Sequence, residues 1–235
     1  MPADLESELI RFDPAPVDAS QARRMLDVVF SGAALALLAP LFLGIAAAIK
    51  LEARGPVFFS HRRIGCGGTP FGLLKFRTMV PNADRIGGAL TASGDKRMTR
   101  VGRWLRRSKL DELPQLVNIL RGEMRFVGPR PEVERYVRCF LPEYARLLKR
   151  RPGITDPASV AYRHEEALLT APDPERQYLD EVLPHKLALS LAYDLRRNVW
   201  TDAQIVLITF LRLFNRFGAV AGRGATPAMR GTPDA

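Results

Sequence analysis

The run VVFSGAALALLAPLFLGIAAAI, Val28 to Ile49, decides what kind of fold this chain adopts. It holds about 22 residues without a charge, close to the ~20 that span a bilayer. No polar stripe interrupts it, which argues against the core helix of a soluble protein. A polar stretch precedes it and no clear cleavage site follows, so it does not read as a signal peptide. Pro40 sits mid-run and removes a backbone hydrogen bond, so the helix is expected to kink or break at Ala39-Pro40. The piece from Val28 to Ala39 reaches only ~18 Å at ~1.5 Å per residue, too short to cross alone. Arg23 and Arg24 lie before the run, Lys50 and Arg54 after it, and cytoplasmic flanks collect such charges. The reading is a proline-broken re-entrant helix over 21–54 that enters and leaves on one face. A kinked spanning helix is the alternative.

Around this segment the chain is strongly basic, with 35 Lys and Arg against 25 Asp and Glu in 235 residues, a formal charge of +10. Anionic partners follow: anionic lipid, phosphorylated metabolites or nucleic acid. Two cysteines, Cys66 and Cys139, form neither a CxxC motif nor a disulfide framework, which suits a reducing compartment. With three scattered histidines, a Cys- or His-based metal site is not expected.

Downstream, Val57-Phe58-Phe59 and Phe71 to Met79 read as strands joined by a turn at Gly65-Cys66-Gly67-Gly68. Lys75 and Arg77 are two apart and so share a face, as phosphate contacts or as a solvated surface. Asn82 to Gly94 reads as a loop. Lys96 to Arg107 reads as a helix with Met98, Val101, Trp104 and Leu105 on one side and Arg100, Arg103 and Arg107 on another. It runs into Leu110-Asp111-Glu112-Leu113-Pro114-Gln115-Leu116. Pro114 is tolerated only in a first turn, so a helix reaching Leu120 is expected to begin near Asp111. Two adjacent carboxylates at a helix start, with arginines nearby, suit a nucleophile and a magnesium ligand acting on a phosphate ester. The plainer reading is a capping box, Ser108-x-x-Asp111.

Further on, Gly128-Pro129-Arg130-Pro131 is a rigid loop that presents one arginine. Glu132 to Arg150 reads as a helix interrupted near Pro142, and Pro174 to Arg197 as one kinked at Pro184. A last helix to Phe217 opens with Thr201-Asp202-Ala203-Gln204. It is apolar and too short to span, which suits an interfacial anchor. The organisation expected is a polar tail over 1–20, the membrane helix over 21–54, a catalytic domain over 55–217 and a tail over 218–235. The fold class is α+β, mostly helical with a β-hairpin.

Taken together these residues resemble the bacterial sugar transferases, the monotopic phosphoglycosyl transferases. The resemblance rests on Arg24-x-x-Asp27, the proline-centred apolar run, Gly55-Pro56-Val57-Phe58-Phe59 and Arg63-x-Gly65. It continues through Lys75-Phe76-Arg77-Thr78-Met79, Thr99-Arg100-x-Gly102, Leu110 to Leu116, Val127 to Pro131 and Pro152-Gly153-Ile154-Thr155. It implies transfer of a sugar phosphate from a UDP-sugar to polyprenyl (undecaprenyl) phosphate with release of UMP. The site implied is the cytoplasmic face of the inner membrane, at the start of a surface glycan such as exopolysaccharide or O-antigen. Asp111 corresponds to the nucleophile, Glu112 to the Mg²⁺ ligand, and Arg106 and Arg130 to arginines around the phosphates. Lys75 and Arg77 match a strand motif that binds nucleotide or holds the site. Departures are Ala39-Pro40 where Ser-Pro is common, His61 for Gln, and Glu123 and Arg125 for Asp and Ser. A lipid-binding scaffold, a nucleotide-sugar hydrolase and a nucleic-acid binder are rival readings. The last lacks any recognition signature, and no nucleic-acid partner is expected. The sugar, the glycan pathway and a homodimer are left open by the sequence.

Overall fold

A computed structural model describes residues 10, 21–83, 95–163, 165–169 and 171–214. The expected tails, apart from Ile10, and most of the 82–94 loop lie outside the described residues.

The apolar run lies within helix α1, Gln21–Glu52, which is long and apolar enough to cross a membrane. The helix continues through Pro40, so the break expected at Ala39-Pro40 is not present as an interruption. A proline deletes one intrahelical donor, and packing on both sides of it offsets that loss. Asp27, Ser31, Leu35, Leu38, Phe42, Ile45 and Ile49 recur every three or four residues and face the rest of the protein. Around them Val29, Phe30, Leu37 and Leu43 stay exposed, Leu37 at 81%. Both ends of α1 are pinned. Near its start the Arg24 guanidinium donates to the carbonyls of Ile119 and Leu120, and Asp27 pairs with Arg125 at 3.0 Å. At its end Glu52 accepts from the backbone N–H groups of Arg100 and Val101.

Strands β1, Phe58–Ile64, and β2, Pro70–Phe76, form the expected hairpin in the register Phe58 to Phe76 through Ile64 to Pro70. Gly67 and Gly68 take φ of 67° and 82° in its turn, a region that only glycine enters freely. Helix α2, Arg100–Ser108, starts four residues later than the basic run suggests, because Thr99 caps it by accepting from Gly102 N–H. Gly102 lies against the Thr78 backbone, where a Cβ would fall 1.9 Å from the carbonyl oxygen.

Helix α3, Gln115–Arg121, begins beyond Asp111, which sits in a separate 3₁₀ turn, Leu110–Glu112. The Ser108 hydroxyl bonds back to the Trp104 and Leu105 carbonyls, so the capping-box reading does not hold. Asn118, fully buried on α3, accepts from Leu74 N–H and donates to the Gly72 carbonyl and to Glu123. That side chain bolts α3 to the hairpin, and it gives Glu123 a structural use.

A second sheet, absent from the sequence reading, pairs β3, Arg125–Val127, in parallel with β4, Gly153–Thr155. Close approach at Gly128 and Gly153 allows it: a Cβ on Gly153 would lie 2.1 Å from the Gly128 nitrogen. Helices α4, Glu134–Cys139, and α5, Leu141–Leu147, split at Phe140, next to Pro142 as expected. Short helices α6, Pro157–Ala161, α7, Glu165–Leu168, and α8, Pro174–Gln177, follow. A π turn, Tyr178–Val182, leads into α9, Leu183–Arg196, and so the distortion sits just ahead of Pro184. The principal core forms here from Tyr136, Val137, Tyr144, Leu147, Tyr178, Val182 and Leu183. Each such aliphatic residue contributes roughly 1.5–3 kcal/mol on burial. Last comes α10, Val199–Phe214; it is capped by Asn198, whose side chain accepts from Trp200 and Thr201, rather than opening at Thr201.

Candidate active site

The acids are placed by a sharp change of chain direction. Helix α2 ends at Lys109, a non-glycine residue at φ 61°, and its N–H closes on the Arg106 and Leu105 carbonyls. The 3₁₀ turn then aims Asp111 and Glu112 into a cavity of about 670 Å³. Lys75, Arg103, Arg106, Arg107, Lys109 and Arg130 share its lining. The cavity thus carries a dense positive charge around two carboxylates.

The two acids differ in circumstance. Glu112 accepts from Lys75 Nζ at 3.0 Å and is bound by both terminal nitrogens of Arg130. Burial alone raises its carboxyl, but Arg130 and Lys75 outweigh that and hold it well below the ordinary range. Asp111 is only 4% exposed, and its Oδ1 is buried without a hydrogen-bond partner among the described residues. Burial pushes the Asp111 carboxyl up, Lys75 pulls against it, and the charge on Glu112 adds to the rise. A carboxylate of raised basicity with an unpartnered oxygen facing cations is equipped to attack an electrophilic phosphorus.

Of the residues singled out from sequence, Asp111, Glu112, Lys75, Arg106 and Arg130 converge on this cavity. Arg77 does not line it. Its guanidinium donates to the carbonyls of Arg54, Ala53 and Ile49, capping the end of α1. Arg77 lies one residue beyond β2, where strand alternation no longer sets direction, so the shared-face argument fails there. Of its two expected roles, holding the site is the one that fits.

His61 also lines the cavity. Burial first, then Arg63 and Lys75, lower its pKa to about 4, so it is a neutral imidazole at neutral pH, equivalent in charge to glutamine. Sequence reasoning missed a chain of groups along the far wall. Arg63 pairs with Glu132, which accepts from the Tyr178 hydroxyl at 2.7 Å. Lys186 donates to that hydroxyl at 3.2 Å and to Glu165 at 2.6 Å. No local signal in the sequence marks it, because its members lie far apart in the chain.

Asp111 and Glu112 are hard oxygen donors in this cavity that could hold a magnesium ion. Among the described residues no group of three or more His, Cys, Asp or Glu comes together, so no all-protein cage exists there. Magnesium is commonly held by one or two carboxylates together with substrate phosphates. Both Glu112 oxygens already accept from Lys75 or Arg130, so an ion held by Glu112 would share them with these cations, while Asp111 Oδ1 has no partner among the described residues.

The sequence pattern described for bacterial sugar transferases matches residues 19–216. A UDP-glucose:undecaprenyl-phosphate glucose-1-phosphate transferase of Caulobacter vibrioides is 42% identical over 190 residues, covering 80% of this chain and 67% of that protein. A UDP-N-acetylgalactosamine-undecaprenyl-phosphate N-acetylgalactosaminephosphotransferase of Aeromonas hydrophila is 35% identical over 217 residues, 91% of this chain but 48% of its own length. The exopolysaccharide production protein ExoY of Rhizobium meliloti is 39% identical over 173 residues, 67% of this chain and 76% of that protein. The chain therefore spans between about half and three quarters of these relatives. A match over nearly all of α1 to α10, with the acids and their cations gathered in one cavity, means that the chain belongs to the bacterial sugar transferase family.

Proposed function

We propose that this protein is a phosphoglycosyl transferase that moves a sugar 1-phosphate from a UDP-sugar to undecaprenyl phosphate. The observation that carries the reading is Asp111: buried, raised in basicity and unpartnered at Oδ1, in a cavity lined by Lys75, Arg106 and Arg130. In the first step an Asp111 oxygen bonds to the β-phosphorus. The bond from that phosphorus to the bridging oxygen breaks, and UMP leaves with the electron pair. In the second step a phosphate oxygen of the lipid attacks the same phosphorus. The Asp111–phosphorus bond breaks, which restores the carboxylate and yields a polyprenyl diphosphate sugar. Dividing the displacement this way replaces one difficult transfer by two.

Lys75, Arg106 and Arg130 face the charge that accumulates on the phosphoryl oxygens, where fixed cations in a low-dielectric cavity act most strongly. Glu112, held ionised by Lys75 and Arg130, is the residue that would hold Mg²⁺. When bound, the ion offsets the charge of the diphosphate.

On the membrane, α1 is read as re-entrant at the cytoplasmic face of the inner membrane. Its two ends, Arg24 with Asp27 and Glu52 with Arg77's capping contacts, are tied to the same domain, and one stripe packs on that domain between them. Ends so tied favour a same-side course, while Val29, Phe30, Leu37 and Leu43 give lipid an apolar surface. Exposed Trp200, Leu207, Phe210 and Leu211 on α10 suit the interface. The product would begin a surface glycan such as exopolysaccharide.

The test is UMP release by the full chain in lipid, with Mg²⁺, undecaprenyl phosphate and a panel of UDP-sugars. Multiple-turnover release is expected with at least one sugar and only with the lipid phosphate present, and is lost in Asp111→Asn. Multiple turnover that ignores the lipid would instead indicate a hydrolase.

A further inference from the structure

The cavity is chemically two-sided. Around Asp111 the walls from β2, α2 and the 3₁₀ turn carry an excess of cations, which suits phosphates. The opposite wall is different. It holds two carboxylates, Glu132 paired with Arg63 and Glu165 paired with Lys186, with Arg163 and Arg212 also lining the cavity. It also presents Tyr136, Tyr162 and Tyr178. The Tyr162 hydroxyl is held by His185 Nδ1 at 2.6 Å, which fixes the ring. Nearby the Ser159 hydroxyl lines the cavity, buried and without a partner among the described residues. Tyr136 and Tyr178 are buried against each other and back the wall. The Glu165 carboxylate, the Tyr162 ring and the spare Ser159 hydroxyl match a neutral polyol. They match uracil poorly, since a uracil ring offers two carbonyl acceptors and a single donor.

We infer that the wall formed by Tyr162, Glu165 and Lys186 is the subsite for the hexose of the nucleotide sugar, with Glu165 accepting from its hydroxyls. This rests on the transferase reading above and deepens it. Glu165 stands on the one-turn helix α7 and is held in place from α9 by Lys186. Lys186 in turn is fixed by Tyr178, so the acceptor is anchored to the buried core. A carboxylate so held reads the position of a hydroxyl, because an epimer or a 2-acetamido sugar does not bring a hydroxyl to that oxygen.

The experiment compares wild type with Glu165→Gln and Glu165→Asp in UMP release from UDP-glucose, UDP-galactose and UDP-N-acetylgalactosamine. UDP, which lacks the hexose, is added as a competitive inhibitor. Glu165→Gln is expected to raise the KM of the preferred donor about ten- to a hundredfold and to flatten the ranking of the three. Glu165→Asp keeps the charge and moves the acceptor by one methylene, and so reorders the ranking. Inhibition by UDP is expected to stay as in wild type in both variants, which also reports that the site is intact. An unchanged ranking overturns the inference, as does a parallel loss of UDP inhibition, which would place the nucleotide at this wall. Wild type inactive toward every UDP-sugar would instead remove the transferase reading itself.

Discussion

Replacing Asp111 by asparagine removes a charge that the protein holds at a cost, so the variant is expected to be inactive and more stable at once. Asparagine keeps the shape and one oxygen acceptor. It deletes the desolvated negative charge whose Oδ1 has no partner among the described residues. An unsatisfied buried polar group costs about 1–3 kcal/mol, somewhat more when charged. For a chain of this size about 1 kcal/mol moves a thermal midpoint by roughly 2–4 °C, so a rise of about 2–12 °C follows at neutral pH. The gain depends on pH with a definite sign. Because the Asp111 carboxyl is raised in the folded state, it contributes stability that is fully present below its ordinary value of 3.8. That contribution is lost as pH rises through the raised folded value. The asparagine side chain of the variant resembles the protonated acid at every pH. The gap between variant and wild type therefore opens on going from acid to neutral and then levels off. Thermal unfolding in lipid nanodiscs across that range measures it. A variant that melts at or below wild type at neutral pH would refute the view that the ionised nucleophile is strained.

Turnover should fall on acidification through a pKa above the ordinary aspartate range, since only ionised Asp111 attacks while Glu112 stays charged; a pH–rate profile checks this. Arg77→Met removes the cap on α1, costs about 2–4 kcal/mol, and lowers the thermal midpoint while leaving the donor KM of the folded fraction unchanged. Asp27→Ala breaks the buried ion pair with Arg125 and should destabilise by about 3–5 kcal/mol, read as loss of folded, membrane-bound protein. His61→Gln should leave the pH–rate profile unchanged between about pH 6 and 8, because the imidazole is already neutral there.

The hairpin was legible because Gly65 to Gly68 and the flanking β-branched and aromatic residues announce it locally. The acids were legible because Pro114 limits where a helix can start, although the turn holding them is separate from α3. Local pattern could not reveal β3 and β4, each three residues long and paired across some distance in the chain. Nor could it place Arg77, whose direction is set by carbonyls at the end of α1, or the Asn118 bolt between α3 and β2. The continuity of α1 through Pro40 depends on a stripe of contacts that the proline's own cost does not anticipate. The far wall of the cavity draws Arg63, Glu165, Tyr178 and Lys186 from four separate elements and Glu132 from the segment ahead of α4. Tertiary structure alone assembles it.

The most direct test of covalent transfer is mass spectrometry of the full chain incubated with Mg²⁺ and its UDP-sugar in the absence of undecaprenyl phosphate. The account predicts a stoichiometric burst of UMP and a phospho-sugar mass on the peptide containing Asp111, discharged when the lipid phosphate is added. UMP release that begins only with the lipid present, with no adduct at Asp111, would contradict it and indicate direct transfer between the two substrates.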